Sequence, residues 1–557
     1  MVGTTRKIHV SRSVSALERH VVWHKPMAVL SVVIALNIAS MPLKAYWSES
    51  FPWQFTRVSH DTAFLDFDTY SRNTSASFQA FFSPNFLAGQ GILVHDRANG
   101  TFAMQRTIDL STPLSCANLI PRLPGAFFFG VGLRDAVCVF LGQNNSARDA
   151  TPLSRCQHVR IMSIPFGEQC LWAFRSTVSS SSSCWTFVQG IVNWHNHAAL
   201  WAKLVYRIGL TGYVCREMYT QYYVHYRVLA ANFIDLGLRD RTLMTLEIYV
   251  GDPTSVILSN MCVSLAFVLD FWFSADAVGE SIVQISQLES VPDFVAALLY
   301  SSRTAWFGYF TMRVATMPIK RWHYEAYVSP LDPTVVAIAI FCFAGPFMYL
   351  QTTTSFMAVV HSMWELWIPA AEAGEAIDVM PVIASETIGI GVPPLLFSFV
   401  YKWFKQHQFK SRGPARNLLA STMYNQVEYN DIRQRVAFHV LGLKRTFTST
   451  SFEGGTLYNL HDRNARYDSM PLFSHRSADC FVACYTSLRE LKAKMRLSLV
   501  RCLDRLEYDN VLAVQLCRTK HKDCLSRLDA TACETFVPSS PASLCLHQGK
   551  QRSPWIL

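Results

Sequence analysis

The chain has 557 residues, half of them hydrophobic and only 16% charged, with a positive mean hydropathy of +0.16. A charged fraction this far below the roughly 25% of ordinary soluble domains excludes a plain soluble protein and a charged disordered one. The net charge of +10 is concentrated from Lys402 onward, where 24 Lys+Arg face 13 Asp+Glu; with no DNA- or RNA-binding signature beside it, this basic segment points to the cytoplasmic face of a membrane and not to nucleic acid.

Residues 1–26 carry Arg6, Lys7, Arg12, Arg19 and Lys25, and the apolar run MAVLSVVIALNIASMPL follows over 27–43. A basic flank before an apolar core without a small-x-small cleavage site predicts an uncleaved transmembrane signal-anchor, with 1–26 in the cytoplasm.

Over 48–195 no apolar run reaches spanning length. Short stretches such as GILVHD, AFFFGVGL and AVCVFLG alternate with turn residues, which predicts a β-rich or α+β extracytoplasmic domain. The sequons at Asn73, Asn99 and Asn144 are candidate glycosylation sites. Five cysteines (Cys116, Cys138, Cys156, Cys170 and Cys184) are candidates for disulfides in an oxidising space, with one left over. Cys170 and Cys184 bracket a plausible closed loop, although pairing cannot be read from spacing alone.

Next come five runs near the 20 residues that a hydrocarbon layer of about 30 Å demands: 197–215, 254–273, 294–312, 334–350 and 387–403. Loop charges orient them. Segments 274–293 and 351–386 have no Lys or Arg and carry acids such as Asp276, Glu280 and Glu386. Arg313, Lys320 and Arg321 lie in 313–333, and Arg216, Arg227, Arg239 and Arg241 in 216–253. The alternation predicts a cytoplasmic 216–253, an outer 48–195 and a basic cytoplasmic tail over 404–557. The fold class expected is an all-α multi-pass transmembrane bundle of about six helices, with the outer domain between spans 1 and 2 and a partly disordered tail.

The 197–215 run contains Lys203 and Arg207. If the N-terminal anchor crosses, this run must cross with it, or every loop assignment inverts. The alternative is an amphipathic helix on the surface. Arg207 must then face the bundle or a polar cavity, since a charge at bilayer centre costs about 2.5–3.5 kcal/mol on insertion scales. Arg303 lies mid-span and Asp270 one turn from the outer end of the preceding span; they are candidate intramembrane polar residues, read first as a structural ion pair. Gly345-Pro346 and the run GIGVPPLL break the last two spans, as kinks or as the broken helices of a transport site.

In the tail, Cys484, Leu488, Leu491, Met495, Leu499, Cys502 and Leu506 form an apolar stripe beside Arg489, Lys492, Lys494, Arg496 and Arg501. This predicts a basic amphipathic helix over 484–506, suited to anionic lipid or a protein contact. No GxSxG, HExxH, P-loop, dinucleotide-binding glycine pattern or CxxC occurs, so no catalytic residue, cofactor or metal ligand is predicted.

The phrases YVGDPTSVILSN, VLDFWFSA and VSPLDPTVVAIAIF, within 248–341, resemble uncharacterised multi-pass membrane protein families of oomycetes. The resemblance implies no activity or ligand. The expected function is a surface or receptor-like interaction protein, in the plasma membrane or secretory pathway, with the bilayer and an extracellular ligand as partners. The alternative is a transporter or channel using Arg303, Asp270 and the broken spans.

Overall fold

The computed structural model describes residues 20–409, apart from breaks at 57–65, 89–92, 97, 112–114, 177–183, 195, 237–242, 288–290, 323, 325–326, 329–330, 355 and 368–373, together with 432–443, 476–499, 514–517, 544–547 and 555–556. The basic residues of 1–19, and most of the tail including 500–506, lie outside the described residues.

Strand formation follows the alternating and β-branched runs. The first sheet has six strands: β2 (Leu93–Asp96), β3 (Thr101–Asp109), β4 (Ser154–Ile161), β5 (Ile164–Arg175), β6 (Cys184–Asn193) and β8 (Ala376–Asp378), in the order β2-β3-β6-β5-β4-β8. All neighbours are antiparallel except β4 and β8, which run parallel with Val159 opposite Ile377. Period-two alternation buries both faces. Cys170, Trp172 and Val188 pack with Phe78 and Phe82 at the end of helix α2 (Phe67–Phe81; α1 is Lys25–Ala39). Leu171, Ala173, Trp185 and Phe187 pack against Leu133, Val137 and Phe140 of α3 (Val131–Gly142). The 48–195 region is thus a helix–sheet–helix sandwich, with a strand borrowed from 376–378.

The second sheet gathers β1 (His20–Trp23), β7 (Leu243–Tyr249), β9 (Cys480–Thr486), β10 (Leu491–Leu499) and β13 (Trp555–Ile556) in that order, while β11 (Val514–Cys517) and β12 (Leu544–His547) pair separately. On one face Leu246, Ile248, Cys480, Val482 and Cys484 pack with Tyr222 and Tyr226. On the other, Tyr249, Phe481 and Ala483 pack with Met27 and Phe438.

A helical layer joins the sheets. It contains α1, α4 (His197–Met218), α5 (Val224–Leu236), α6 (Met261–Trp272), α7 (Ala275–Gln287), α8 (Val291–Ser301), α9 (Ala305–Arg321), α10 (Pro333–Thr353), α11 (Phe356–Trp367), α12 (Met380–Gly391) and α13 (Pro393–Phe409). The first sheet ends at Asn193, just before α4; the second sheet's β7 follows the far end of α4, the π-turn Tyr219–Tyr223 and α5. Twenty-two residues of α-helix span about 33 Å, so the sheets cap opposite ends of the layer.

These observations correct several expectations. The chain is mixed α/β, not an all-α bundle of about six spans, because segments expected to be loops and tail supply strands. Two helical stretches, Pro333–Gln351 and Met380–Val400, are long and apolar enough to cross a membrane. The number rises to four if Lys25–Ala39 with Met41–Trp47, bent by 55°, and Met261–Trp272 with Ala275–Ile285, bent by 71°, each count as one. The region 254–273 is broken between Leu258 and Met261, and 294–312 between Ser301 and Ala305. The supposed loop 274–293 is largely α7, and Glu386 lies within α12 and not in a loop.

The amphipathic helix expected over 484–506 is instead the β9–β10 hairpin as far as Leu499, with Met495 opposite Val482. Leu491, Met495 and Leu499 are spaced by four, which one helix face and one strand face both satisfy. Pairing of β9 with β7 decides for the strand.

Disulfides join Cys116 to Cys138 and Cys156 to Cys170, so Cys170 does not close a loop with Cys184. Cys156 and Cys170 face each other across β4 and β5, whereas Cys184 pairs in register with Asp109. Apolar helices of spanning length and these disulfides associate the chain with a membrane or the secretory route.

The β4–β5 turn places Met162 (φ 50°) and Ser163 (φ 67°) in the left-handed region, as a tight two-residue hairpin requires. Neither residue is glycine, so each carries a steric cost of roughly 1–2 kcal/mol. The Asp378 carboxylate accepts their backbone N–H groups at 3.3 and 3.2 Å and offsets part of that cost. Ser163→Gly is expected to stabilise the chain by about 1 kcal/mol, visible as a higher melting temperature with both disulfides intact.

Candidate functional site

Helix α4 passes through the layer with exposed Val205 and Ile208 on one side and Lys203 and Arg207 turned inward. Arg207 is fully buried and uses its whole guanidinium. Nε donates to Asp270 Oδ1 at 2.7 Å, Nη1 to Glu49 Oε2 at 2.8 Å, and Nη2 to Glu49 Oε1 at 2.7 Å and Ser274 Oγ at 2.8 Å. The fork on Glu49 is the bidentate geometry that suits a planar guanidinium. Behind it, the guanidinium carbon lies 4.7 Å from the centre of the Tyr46 ring.

Three more elements close the network. Arg303 donates through Nη2 to Asp270 Oδ2 and through Nη1 to Glu49 Oε1 at 3.4 Å. Tyr300, on the last turn of α8, donates to Glu49 Oε1 at 2.6 Å. Lys203 Nζ sits 2.8 Å from Glu49 Oε2 and 3.8 Å from Asp276 Oδ1. The cations Lys203, Arg207 and Arg303 thereby match the carboxylates Glu49, Asp270 and Asp276. Burial works to raise the Glu49 carboxyl, but Lys203 and Arg207 outweigh it and hold the group well below the usual carboxylate range.

Glu49 follows the bent helix pair ending at Trp47, Arg207 belongs to α4, Asp270 to α6, and Arg303 to the short turn between α8 and α9. Four separate stretches of chain are therefore tied at one point. Chemically the arrangement is a clamp: each charge is met by an opposite one.

At its edge lies an opening with about 40 Å³ of room for the centres of water-sized molecules. Glu49, Lys203, Asp276 and Glu280 line it from the helices, and His95 and Asn193 from the first sheet. His95 Nδ1 contacts Glu280 Oε1 at 2.9 Å and joins the sheet to α7. A space of this size holds about three waters. Among the described residues no group of three or more His, Cys, Asp or Glu side chains forms a metal site.

Arg207, Asp270 and Arg303, singled out in the sequence, meet here. Lys203, the other cation of the 197–215 run, also points into the network. Glu49, Asp276, Tyr300 and Ser274 were missed. The available signal was charge balance: three cations near the layer with Asp270 alone require further carboxylates, and Glu49 and Asp276 stand just past apolar runs.

Asn73 is exposed on α2, and Asn144 is exposed at the start of the helical turn 145–150, where its Oδ1 caps the Ala147 N–H. Asn99 is less available: Nδ2 donates to Asp96 and Oδ1 accepts from Thr56. Compared with protein-family models, curated proteins and solved structures, the chain matches none.

Proposed function

We propose that the chain is a membrane-embedded interaction protein, with the first sheet on the outer face of a bilayer, the second in the cytoplasm and the helical layer between them. Strands of the two sheets alternate along the chain as β1, then β2–β6, then β7, then β8, then β9–β10. This alternation favours opposite sides and agrees with the loop charges, since lysine-free 351–386 contributes to the first sheet and arginine-bearing 216–253 to the second. Exposed Val29, Val32, Val33 and Leu36 on α1, with Val205 and Ile208 on α4, suit lipid contact.

The observation that carries the interaction reading is the β4–β5 tip. It exposes Met162 and Ile164, 57% and 68% accessible, on a backbone held in a costly conformation by Asp378. A rigid apolar projection suits a protein partner with an apolar surface. The transport alternative would draw on Arg303 and Asp270, which are engaged in the clamp.

A benzophenone side chain placed at position 162 is expected to yield a discrete crosslinked adduct on intact cells, lost when Ile164→Asp is added. Absence of any adduct, or an adduct indifferent to Ile164→Asp, would refute the reading.

A further inference from the structure

Among the described residues, the exposed tryptophans and tyrosines fall into two sets, each side chain at least 46% accessible. The first set is Trp47, Trp53, Trp201, Tyr349 and Trp367, and it borders the first sheet. Trp201 stands in the first turns of α4, just after β6, and its ring lies 6.2 Å from that of Trp53. Tyr349 is near the end of α10, and Trp367 ends α11. From α11, His361 Nε2 reaches within 3.3 Å of the Phe127 carbonyl, and β8 then joins the sheet.

The second set is Tyr219, Trp322, Tyr324, Tyr327 and Trp403, and it lies at the opposite end. Tyr219 follows the last residue of α4. Trp322, Tyr324 and Tyr327 stand between α9 and Asp332, whose carboxylate accepts the Ile432 N–H at 2.6 Å. Phe438 of that same helix, 432–440, packs on the second sheet. Trp403 is in the last turns of α13, after α12 and α13 have led away from β8.

Between the two sets the exposed surface is aliphatic. Along α4 every exposed position from Ala198 to Cys215 is apolar, including Val205, Ile208, Gly209 and Gly212, and exposed Asn196 and Arg216 bound the strip. Ile338 and Phe343 continue it on α10. A protein partner would gather its aromatic anchors at the centre of a patch. A bilayer separates them by depth instead, with aliphatic groups in the hydrocarbon and amphipathic Trp and Tyr rings at both headgroup levels.

We propose that the two sets are interfacial rings that seat the helical layer in lipid and match it to a thin bilayer. The inference rests on the membrane reading and adds depth to it. From Trp201 to Tyr219 the chain rises about 27 Å, and tilt can only shorten the span between the rings. Arg207 then lies about 9 Å inside the first ring, deep enough to need every partner that the clamp supplies.

The test is tryptophan fluorescence of the full-length chain in phosphatidylcholine vesicles brominated either near the headgroup or near the end of the acyl chain. The emission removed by Trp201→Phe, and that removed by Trp322→Phe, is expected to be quenched more by the shallow bromine. The emission added by Ile208→Trp, on the apolar strip of α4, is expected to be quenched more by the deep one. Deeper quenching at 201 or 322 would overturn the rings and leave the membrane reading standing. So would no quenching there beside a quenched Ile208→Trp, the result of water or a second chain covering them. An Ile208→Trp emission that neither bromine touches would overturn the membrane reading, and the rings with it. Melting temperature in unbrominated bilayers of graded chain length reads the spacing. It is expected to peak at a hydrocarbon thickness of about 27 Å and to fall by several degrees at about 33 Å. A peak in the thicker bilayer, or no dependence on thickness, would refute the match.

Discussion

Arg207→Leu is expected to prevent the chain from assembling. The substitution leaves Glu49 and Asp270 buried with Arg303 and Lys203 as their remaining cations, which reach Glu49 Oε2 and Asp270 Oδ2 closely, Glu49 Oε1 only at 3.4 Å, and leave Asp270 Oδ1 without one. Removing one partner from a buried ion pair costs about 3–5 kcal/mol, mostly as the penalty of the charges left behind. Total stabilities of about 5–15 kcal/mol make that a large fraction. Arg207→Lys keeps the charge but loses the fork, so an intermediate loss is expected. Pairing Arg207→Leu with Glu49→Gln should recover part of the loss, because one charge is then removed from each side. Melting temperatures in detergent, with gel filtration for aggregation, read all three variants. A single Leu variant melting with the wild type would show that the clamp contributes nothing to assembly.

Loss of both disulfides is the second large effect. The bridges span sequence separations of 22 and 14 residues, and loop-closure entropy gives about 3 kcal/mol for each. Cys116–Cys138 fastens the short helix Cys116–Leu119 to α3, while Cys156–Cys170 crosslinks two neighbouring strands. Replacing all four cysteines with alanine should unfold the first sheet at growth temperature while leaving the second sheet's pairing intact. The same bridges test the compartment. In chain isolated from cells and alkylated in denaturant without reductant, Cys116, Cys138, Cys156 and Cys170 should be protected, whereas the unbridged Cys215, Cys262 and Cys342 should react. Full alkylation of all seven would place the first sheet in a reducing space and remove the basis for an outer domain.

Part of the layer was legible in the sequence, because apolar runs are a local property: 334–350 falls within a helical stretch of spanning length and 387–403 largely does, whereas 254–273 and 294–312 are broken. The pairing of Arg303 with Asp270 was legible, and the inward turn of Arg207 as well: a charge inside an apolar run must have a partner, and few were available. Glu49 was not, because nothing in WSESFPW says that its carboxyl turns back into the layer. The sheets were hidden for a different reason. Strands β1, β7, β8 and β9 are short, and their partners lie up to hundreds of residues away, so no local period reveals them. In β9, CFVACYT is buried on both faces and loses the alternation that marks a strand with one wet side. The β10 stripe failed through degeneracy, since a spacing of four belongs to both periodicities.

The parallel pairing of β4 with β8 has a consequence in time. The edge of β4 is complete when residue 161 has been made, but its neighbour waits for residue 376. At ordinary synthesis rates the interval is about 10–40 s. Throughout it the first sheet presents an open ladder of amide and carbonyl groups, the feature that invites pairing with a foreign strand. The Asp378 brace on the Met162–Ser163 turn arrives equally late. Newly made chains should therefore pass through an adhesive stage, and their yield should depend on translation speed between residues 161 and 378 more than on speed anywhere else.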